Sequence, residues 1–506
     1  MLEGEIRKQK EIEGFLDRIE RMGNKIPHPF ILFIWLIVIV WIASFICASM
    51  GVSVINPVDN KVVTVKSLLS AEGIIYMLKN MIKNFTGFAP LGVVLTMTLG
   101  IGLAEHVGFL SALMRETILG ASPKVVTFIV MLIGVCGSIA SDVAIVIIPA
   151  IAATIFTTIG RHPLAGIALG YASTSAGFSA NLMIVATDAL LSGISTEAIQ
   201  IVNKNISVTP VDNWYFMFVS TFVLAIVGTL ICEKIIEPRL GTYKGNKIIE
   251  SEKVTPEEKK ALKKAGIGAL IYVGIILTII LPKNSFLRNP ETGSLIPSPF
   301  LSSIIPILLI LFIIVSYIYG KEIGKIKKGS DIPKYMATSI SDMSSYIVLV
   351  FVMSQFIAYF NWTNLGYVIA VNGVNKLKSA QFVGIPLFIM FILLTSLINI
   401  LIGSASAKWA LLAPIFIPTF YMLGYNPALT QMLYRIGDST SNVISPISPY
   451  FPIILGLANK YDKKAGVGTI LSIMLPYSLI MLGTWILLAI LWFILGLPLG
   501  PSVPIR

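Results

Sequence analysis

An apolar run from about Leu429 to Ala458 has the length of a membrane span but is interrupted by RIGDSTSNVISPISPYFP, residues 435–452. No other stretch constrains the fold as strongly. Arg435, Asp438, Ser439, Thr440, Ser441, Asn442, Ser445 and Ser448 crowd it, with Pro446, Pro449 and Pro452 close behind. Prolines remove backbone donors and cannot continue a regular helix. In hydrocarbon every freed N–H and C=O must be satisfied inside the protein or by a water-filled cavity. A broken, hydroxyl-rich helix at membrane depth is therefore a candidate binding site. The plainer alternative is a kinked helix whose polar side chains bond to its neighbours.

A second copy favours the site. Moving back 266 positions sets Ser439, Thr440, Ser441 and Ser445 on Ser173, Thr174, Ser175 and Ser179, and Gly403 and Ser404 on Gly137 and Ser138. Residues 137–181 and 403–447 thus share an order: an apolar arm, a Gly-Ser turn, a second arm, then a helix broken at Ser-Thr-Ser. Corresponding interrupted segments in two halves of a chain point to a transporter binding site.

The chain is 55% hydrophobic and only 13% charged, with a mean hydropathy of +0.84. A soluble domain carries roughly a quarter charged residues. Several apolar runs approach or exceed the ~20 residues that cross hydrocarbon. The sequence therefore predicts an all-α polytopic membrane protein. Its net charge of +12 lies mainly in loops, where the positive-inside rule and anionic lipid account for it better than nucleic acid does. Cys47, Cys136 and Cys232 lie in apolar segments at no metal-ligand spacing and read as packing residues.

Residues 1–29 read as an N-terminal segment whose amphipathic helix (Ile12, Phe15, Leu16, Ile19 and Met22 on one face) lies on the cytoplasmic surface, with a solvated cytosolic helix as the alternative. A first transmembrane half, 30–238, holds a short-armed hairpin at 124–158 around GSIASD and a broken helix at 163–192. Residues 51–84 look extramembranous, with a short helix near 69–82, and Glu105 and His106 mark the end of the span that starts near Phe88. A basic loop, 239–265, precedes the second half, 266–498, with a hairpin at 385–421 and the broken helix at 429–458; residues 499–506 are a tail. Arms this short suit re-entrant hairpins. Lys and Arg in 239–264 and 321–334 place those loops in the cytoplasm. The first hairpin then enters from inside and the second from outside, an inverted-topology repeat.

RMGNKIPHPF, PLAGIALGYASTSAGFSANL, GSASAKWALLAPIFIP and RIGDSTSNVISPISPYFP, in this order, resemble the AbgT family of p-aminobenzoyl-glutamate transporters from about residue 14 to 496. The resemblance implies about nine transmembrane helices plus two re-entrant hairpins, a homodimer in a bacterial inner membrane, and ion-coupled movement of p-aminobenzoyl-glutamate; some members are similar to sulfonamide exporters. It also implies functional roles for the hairpin turn around Trp409 (with Ser404, Ser406 and Lys408), for Asp438, and for the stretch after it that holds Asn442, Ser445 and Pro446. From the first half it implies Ser179, Asn181 and Asp188.

Read as residues, Asp438 is an acid within an apolar run, a position that usually faces a cavity or a partner. It is a candidate coupling residue, with a structural pair to Arg435 as the alternative. Ser138, Ser141, Asp142 and Ser441 complete the candidate ion-coupling set. Asn and Ser can offer oxygens to Na⁺ or donors to a carboxylate. Trp409 offers a flat surface for an aminobenzoyl ring, with lipid packing as the alternative. Asp142 and Lys408 are equivalent under the 266-residue offset and could meet at the centre, or Lys408 could snorkel to an interface. No cofactor is expected beyond Na⁺ or H⁺ as the coupling ion; the expected partners are an organic anion and the bilayer. An intramembrane enzyme lacks HExxH or paired His ligands here, a channel would need no duplicated broken site, and a dicarboxylate carrier is the nearest rival.

Overall fold

A computed structural model describes residues 27–55, 62–243, 245, 254–295, 298–445 and 448–506. The predicted helix at 5–22 lies outside them, as does Pro446, and nothing is described of the Ser141 and Asp142 side chains. Among the described residues seven helical stretches are long and apolar enough to cross a membrane. They include Pro29–Ser49 (α1) and a stretch covering Ala71–Thr86 (α2) and Ala89–His106 (α3), interrupted at Gly87 and Phe88. Residues 51–84 hold more than the short helix expected. Strands Ser53–Ile55 (β1) and Val62–Thr64 (β2) pair antiparallel before α2, which runs down the side of a later span.

Phe109–Leu119 (α4) leads to the first hairpin: Val126–Val135 (α5), a 3₁₀ turn at Cys136–Ala140, and Ser141–Thr158 (α6). The first broken helix follows as Pro163–Tyr171 (α7), a widened π turn at Ala172–Ala176, a non-helical stretch, and Ala186–Ile199 (α8). Trp214–Ile231 (α9), Pro256–Ile280 (α10), Ile304–Glu322 (α11), Asp331–Asp342 (α12), Ser344–Trp362 (α13) and Leu365–Ser379 (α14) come next. Ile385–Leu401 (α15) and Ala405–Met422 (α16) form the second hairpin. Pro427–Thr440 (α17), a 3₁₀ turn at Asn442–Ile444 and Phe451–Tyr461 (α18) form the second broken helix, and Val467–Ile494 (α19) closes the bundle.

Local chemistry sets these boundaries. Both broken helices start with a capping side chain and a proline: His162 Nδ1 accepts from Leu164 N–H before Pro163, and Asn426 Oδ1 from Ala428 N–H before Pro427. Proline at the first helical position loses no needed donor. Thr255 and Glu258 cap α10 reciprocally. Close approach is bought with glycine at the first hairpin, where a Cβ on Gly134 would fall 1.8 Å from Ser173 Oγ.

Ion pairs tie the segments on both sides of the basic loop to their neighbours. Arg115 meets Glu258 at 2.7 Å, Lys259 meets Glu116 at 3.0 Å, Arg161 meets Glu237 at 2.6 Å and Lys264 meets Glu322 at 2.5 Å. The tail folds back into the bundle, where Leu499 is buried and Asn426 N–H donates to the Ile505 carbonyl.

Candidate functional site

The two broken helices run antiparallel through the centre. The first arm of one, α7, packs on the last arm of the other, α18, and α8 packs on α17. Their breaks therefore lie side by side. Ser179 N–H donates to Ser439 Oγ at 3.2 Å, and Asn442 Nδ2 donates to the Ser175 carbonyl at 3.1 Å. Backbone groups freed at one break are thus satisfied by hydroxyl and amide groups of the other, as hydrocarbon requires. Hairpin helix α15 lies against α17, and α16 lies against α8 and α17.

Among the described residues four buried charges meet around this crossing. Arg435 Nη2 lies 2.6 Å from Asp188 Oδ1 and also donates to the Ser179 carbonyl at 2.7 Å. Lys408 Nζ lies 2.6 Å from Asp438 Oδ1 and donates to Asn399 Oδ1 as well. Two acids and two bases sum to zero, the condition under which ionised groups persist at low dielectric. Tyr434 Oη donates to the Ala405 carbonyl at 2.6 Å and lies 3.1 Å from Asp438 Oδ1. Asn399 Nδ2 reaches the Asp438 carbonyl, Ser441 Oγ and Asn442 Oδ1 at 2.7, 2.9 and 2.8 Å. Two polar atoms at the crossing, Ser179 Oγ and Arg435 Nε, are buried without a hydrogen-bond partner among the described residues.

This geometry sits in a chain whose residues 14–506 match the model of the AbgT transporter family. The chain belongs to that family. It is 44% identical over 485 residues to the p-aminobenzoyl-glutamate transport protein of Escherichia coli K12, covering 96% of each chain. It is similar in structure to the MtrF antimetabolite efflux pump of Neisseria gonorrhoeae, with a TM-score of 0.91 and 44% identity over 97% of this chain and 100% of that one. The YdaH transporter of Alcanivorax borkumensis matches with a TM-score of 0.90 and 37% identity over 94% of this chain and 100% of that one. These relatives are transport proteins, so the chain is a multi-pass membrane transporter and not an enzyme.

In this AbgT transporter most of the residues singled out from sequence converge on the crossing, with altered partners. Asp438 pairs with Lys408, and Arg435 with Asp188; the expected alternative of an Asp438–Arg435 pair is replaced by these two. Lys408 is buried rather than snorkelling, and it pairs with Asp438. Trp409 does not face lipid: it is 0% exposed. Its ring packs 4.4 Å from that of Tyr434, and Nε1 donates to Ser195 Oγ at 3.0 Å and the Leu191 carbonyl at 3.2 Å.

Asn181 Nδ2 donates to Ser138 Oγ at 2.8 Å, tying the first break to its own hairpin turn. It also borders a cavity of about 250 Å³ with Leu110, Cys136, Ala140 and Met183. Ser404 caps α16 at Ala407 N–H and lies 3.2 Å from Ser406 Oγ. Ser441 donates to the Ser396 carbonyl at 3.0 Å and Ser445 to the Ile400 carbonyl at 3.1 Å, both on α15. A larger cavity, about 380 Å³, borders Thr187, next to Asp188, and is walled by Thr98, Glu105, His106 and Asp342.

Sequence reading passed over Tyr434 and Asn399, the hub between Lys408 and the second break, and weighed Arg435 only as a pair for Asp438. An amide inside the apolar run LLTSLINILIG was the available signal for Asn399. It also passed over Gln431, which accepts from Ser195 Oγ at 2.6 Å and donates to Asn213 Oδ1 at 2.8 Å.

Proposed function

We propose that this transporter moves p-aminobenzoyl-glutamate, or a related aromatic-amide anion of folate breakdown, against its gradient at the expense of a cation gradient, Na⁺ or H⁺. Sulfonamides, which share the para-aminophenyl end, are a second candidate cargo. The reading is carried by kinship along nearly the whole chain with the E. coli transport protein named for that substrate. The crossing supports it. Ser179 Oγ and Arg435 Nε lack hydrogen-bond partners among the described residues where the two broken helices meet, and buried polar groups are otherwise almost always satisfied. A ligand oxygen would complete both. Asp438 is the group on which coupling centres in this reading, because its carboxylate is buried at the second break. Inverted repeats that rock around such a fixed site give alternating access. The antiparallel broken helices suit that motion. We place the N-terminus in the cytoplasm of a bacterial inner membrane and take the working unit as a homodimer.

Flux into sealed proteoliposomes tests the proposal. With Na⁺ and pH gradients imposed separately, one of them should drive saturable accumulation of labelled p-aminobenzoyl-glutamate, competed by sulfonamide. Absence of accumulation under either gradient, with the protein folded and inserted, would overturn it.

A further inference from the structure

A line of buried side chains runs from Trp409 to the start of α9. Trp409 Nε1–H donates to Ser195 Oγ at 3.0 Å, and Ser195 Oγ–H donates to Gln431 Oε1 at 2.6 Å. Gln431 Nε2–H then donates to Asn213 Oδ1 at 2.8 Å, and Asn213 Nδ2–H to the Ala428 carbonyl at 2.8 Å. All four side chains are buried, and they stand on α16, α8, α17 and the residue before α9. The indole at one end can only donate, and the carbonyl at the other can only accept. Turning the Asn213 amide would set its oxygen against the Ala428 carbonyl. Turning the Gln431 amide would set its oxygen against Asn213 Oδ1. The relay therefore has one direction, fixed from the Ala428 end. Asn213 holds the N-cap position of α9, where asparagine commonly caps its own helix, yet its side chain makes no capping bond there.

The Trp409 end of the relay reaches the charges of the crossing. Its ring packs 4.4 Å from that of Tyr434, whose Oη lies 3.1 Å from Asp438 Oδ1. Gln431, Tyr434, Arg435 and Asp438 follow one another at helical spacing along one face of α17. We propose that Asn213, Gln431 and Ser195 are positioning residues of the transport site: they fix the indole of Trp409, which holds the Tyr434 phenol against Asp438. The proposal rests on the reading of Asp438 as the coupling group. Without Gln431, or with its amide freed by loss of Asn213, the Ser195 hydroxyl turns to the Leu191 carbonyl, 2.8 Å away. There it competes with the Trp409 N–H, which lies 3.2 Å from the same oxygen, and the indole loses its fixed seat.

Fluorine NMR of the full chain in detergent, labelled with fluorotryptophan, tests this; Trp409→Phe assigns one of its seven resonances. Asn213→Leu and Gln431→Leu should each shift the Trp409 resonance by more than its linewidth, although Asn213 is three hydrogen bonds from the indole. On a Ser195→Ala background neither substitution should move it further, and Ser195→Thr, which keeps the hydroxyl, should restore the response. In proteoliposomes the same two leucine variants should raise the half-saturating concentration of the driving cation by roughly threefold to thirtyfold, the range over which residues along a packed network modulate coupling. A Trp409 resonance that stays in place, or that moves equally without the Ser195 hydroxyl, would overturn the proposal. So would an unchanged cation dependence in a folded variant whose resonance has moved. Should the leucine variants not fold, Asn213→Thr and Gln431→Met remove the same amides and carry the same expectations. Absence of wild-type flux under either gradient defeats the proposed function alone, and the resonances still decide the relay.

Discussion

Asp188→Asn isolates the contribution of the pair that ties the two halves together. Arg435 is 1% exposed and is held by the Asp188 carboxylate at 2.6 Å and the Ser179 carbonyl at 2.7 Å. Removing one member of a buried pair costs about 3–5 kcal/mol, because the other charge stays at low dielectric. The surviving carbonyl bond puts this case near the lower end, about 3 kcal/mol. At the sensitivity of a large domain that corresponds to a fall in Tm of roughly 5–10 °C. Adding Arg435→Met removes the stranded charge, so the double variant should recover more than half of the loss. Its coupling energy should be at least about 1 kcal/mol. Unfolding followed by intrinsic fluorescence in detergent reads all three variants. Single variants within a degree of wild type, or a double variant equal to the sum of the singles, would refute the claim that this pair is a coupled, buried unit.

Trp409→Phe should keep the ring contact with Tyr434 but lose both Nε1 bonds, at a cost of about 1–2 kcal/mol, whereas Trp409→Ala should cost about 3–5 kcal/mol. Denaturant titration distinguishes them, and a neutral alanine variant would contradict the buried placement. Gly134→Ala would place a methyl 1.8 Å from Ser173 Oγ and should destabilise by about 1–3 kcal/mol. Ser173→Gly in the same chain should relieve it, and no relief would mean that the two helices do not touch there. Asp331, outside the spans, accepts from Lys328 N–H at 2.8 Å and Lys327 N–H at 2.9 Å, and these bonds hold its carboxyl below the usual range. A lowered folded value means its contribution is present above the unfolded value near ~3.9 and lost as pH falls through the lower folded one. Protease cleavage between 321 and 331 should therefore be faster in Asp331→Asn than in wild type by a constant factor from pH 5 to 8, the gap closing below about pH 4.

Membrane character, the places where helices break and the duplication were all legible in the sequence. Hydropathy, proline and the spacing of hydroxyls act locally, and each of these features depends on residues close in the chain. The capped, proline-led starts at Pro163 and Pro427 belong to the same class. Helices α4, α12 and α14 were not anticipated, because their apolar residues are too few or too interrupted to signal a span. Tertiary structure alone decided who pairs with whom. Arg435 is three residues from Asp438 on α17, yet it pairs across the crossing with Asp188, which lies 247 positions earlier in the chain. Lys408 comes from a hairpin helix to take the acid that Arg435 leaves. Trp409 was readable as an aromatic surface, but only the packing of α16 against α8 and α17 buries it and spends its N–H on Ser195. Charge balance at low dielectric is a property of the assembled volume, since an ion's partner can come from any helix that reaches it. Sequence spacing constrains only the helix on which the ion itself sits.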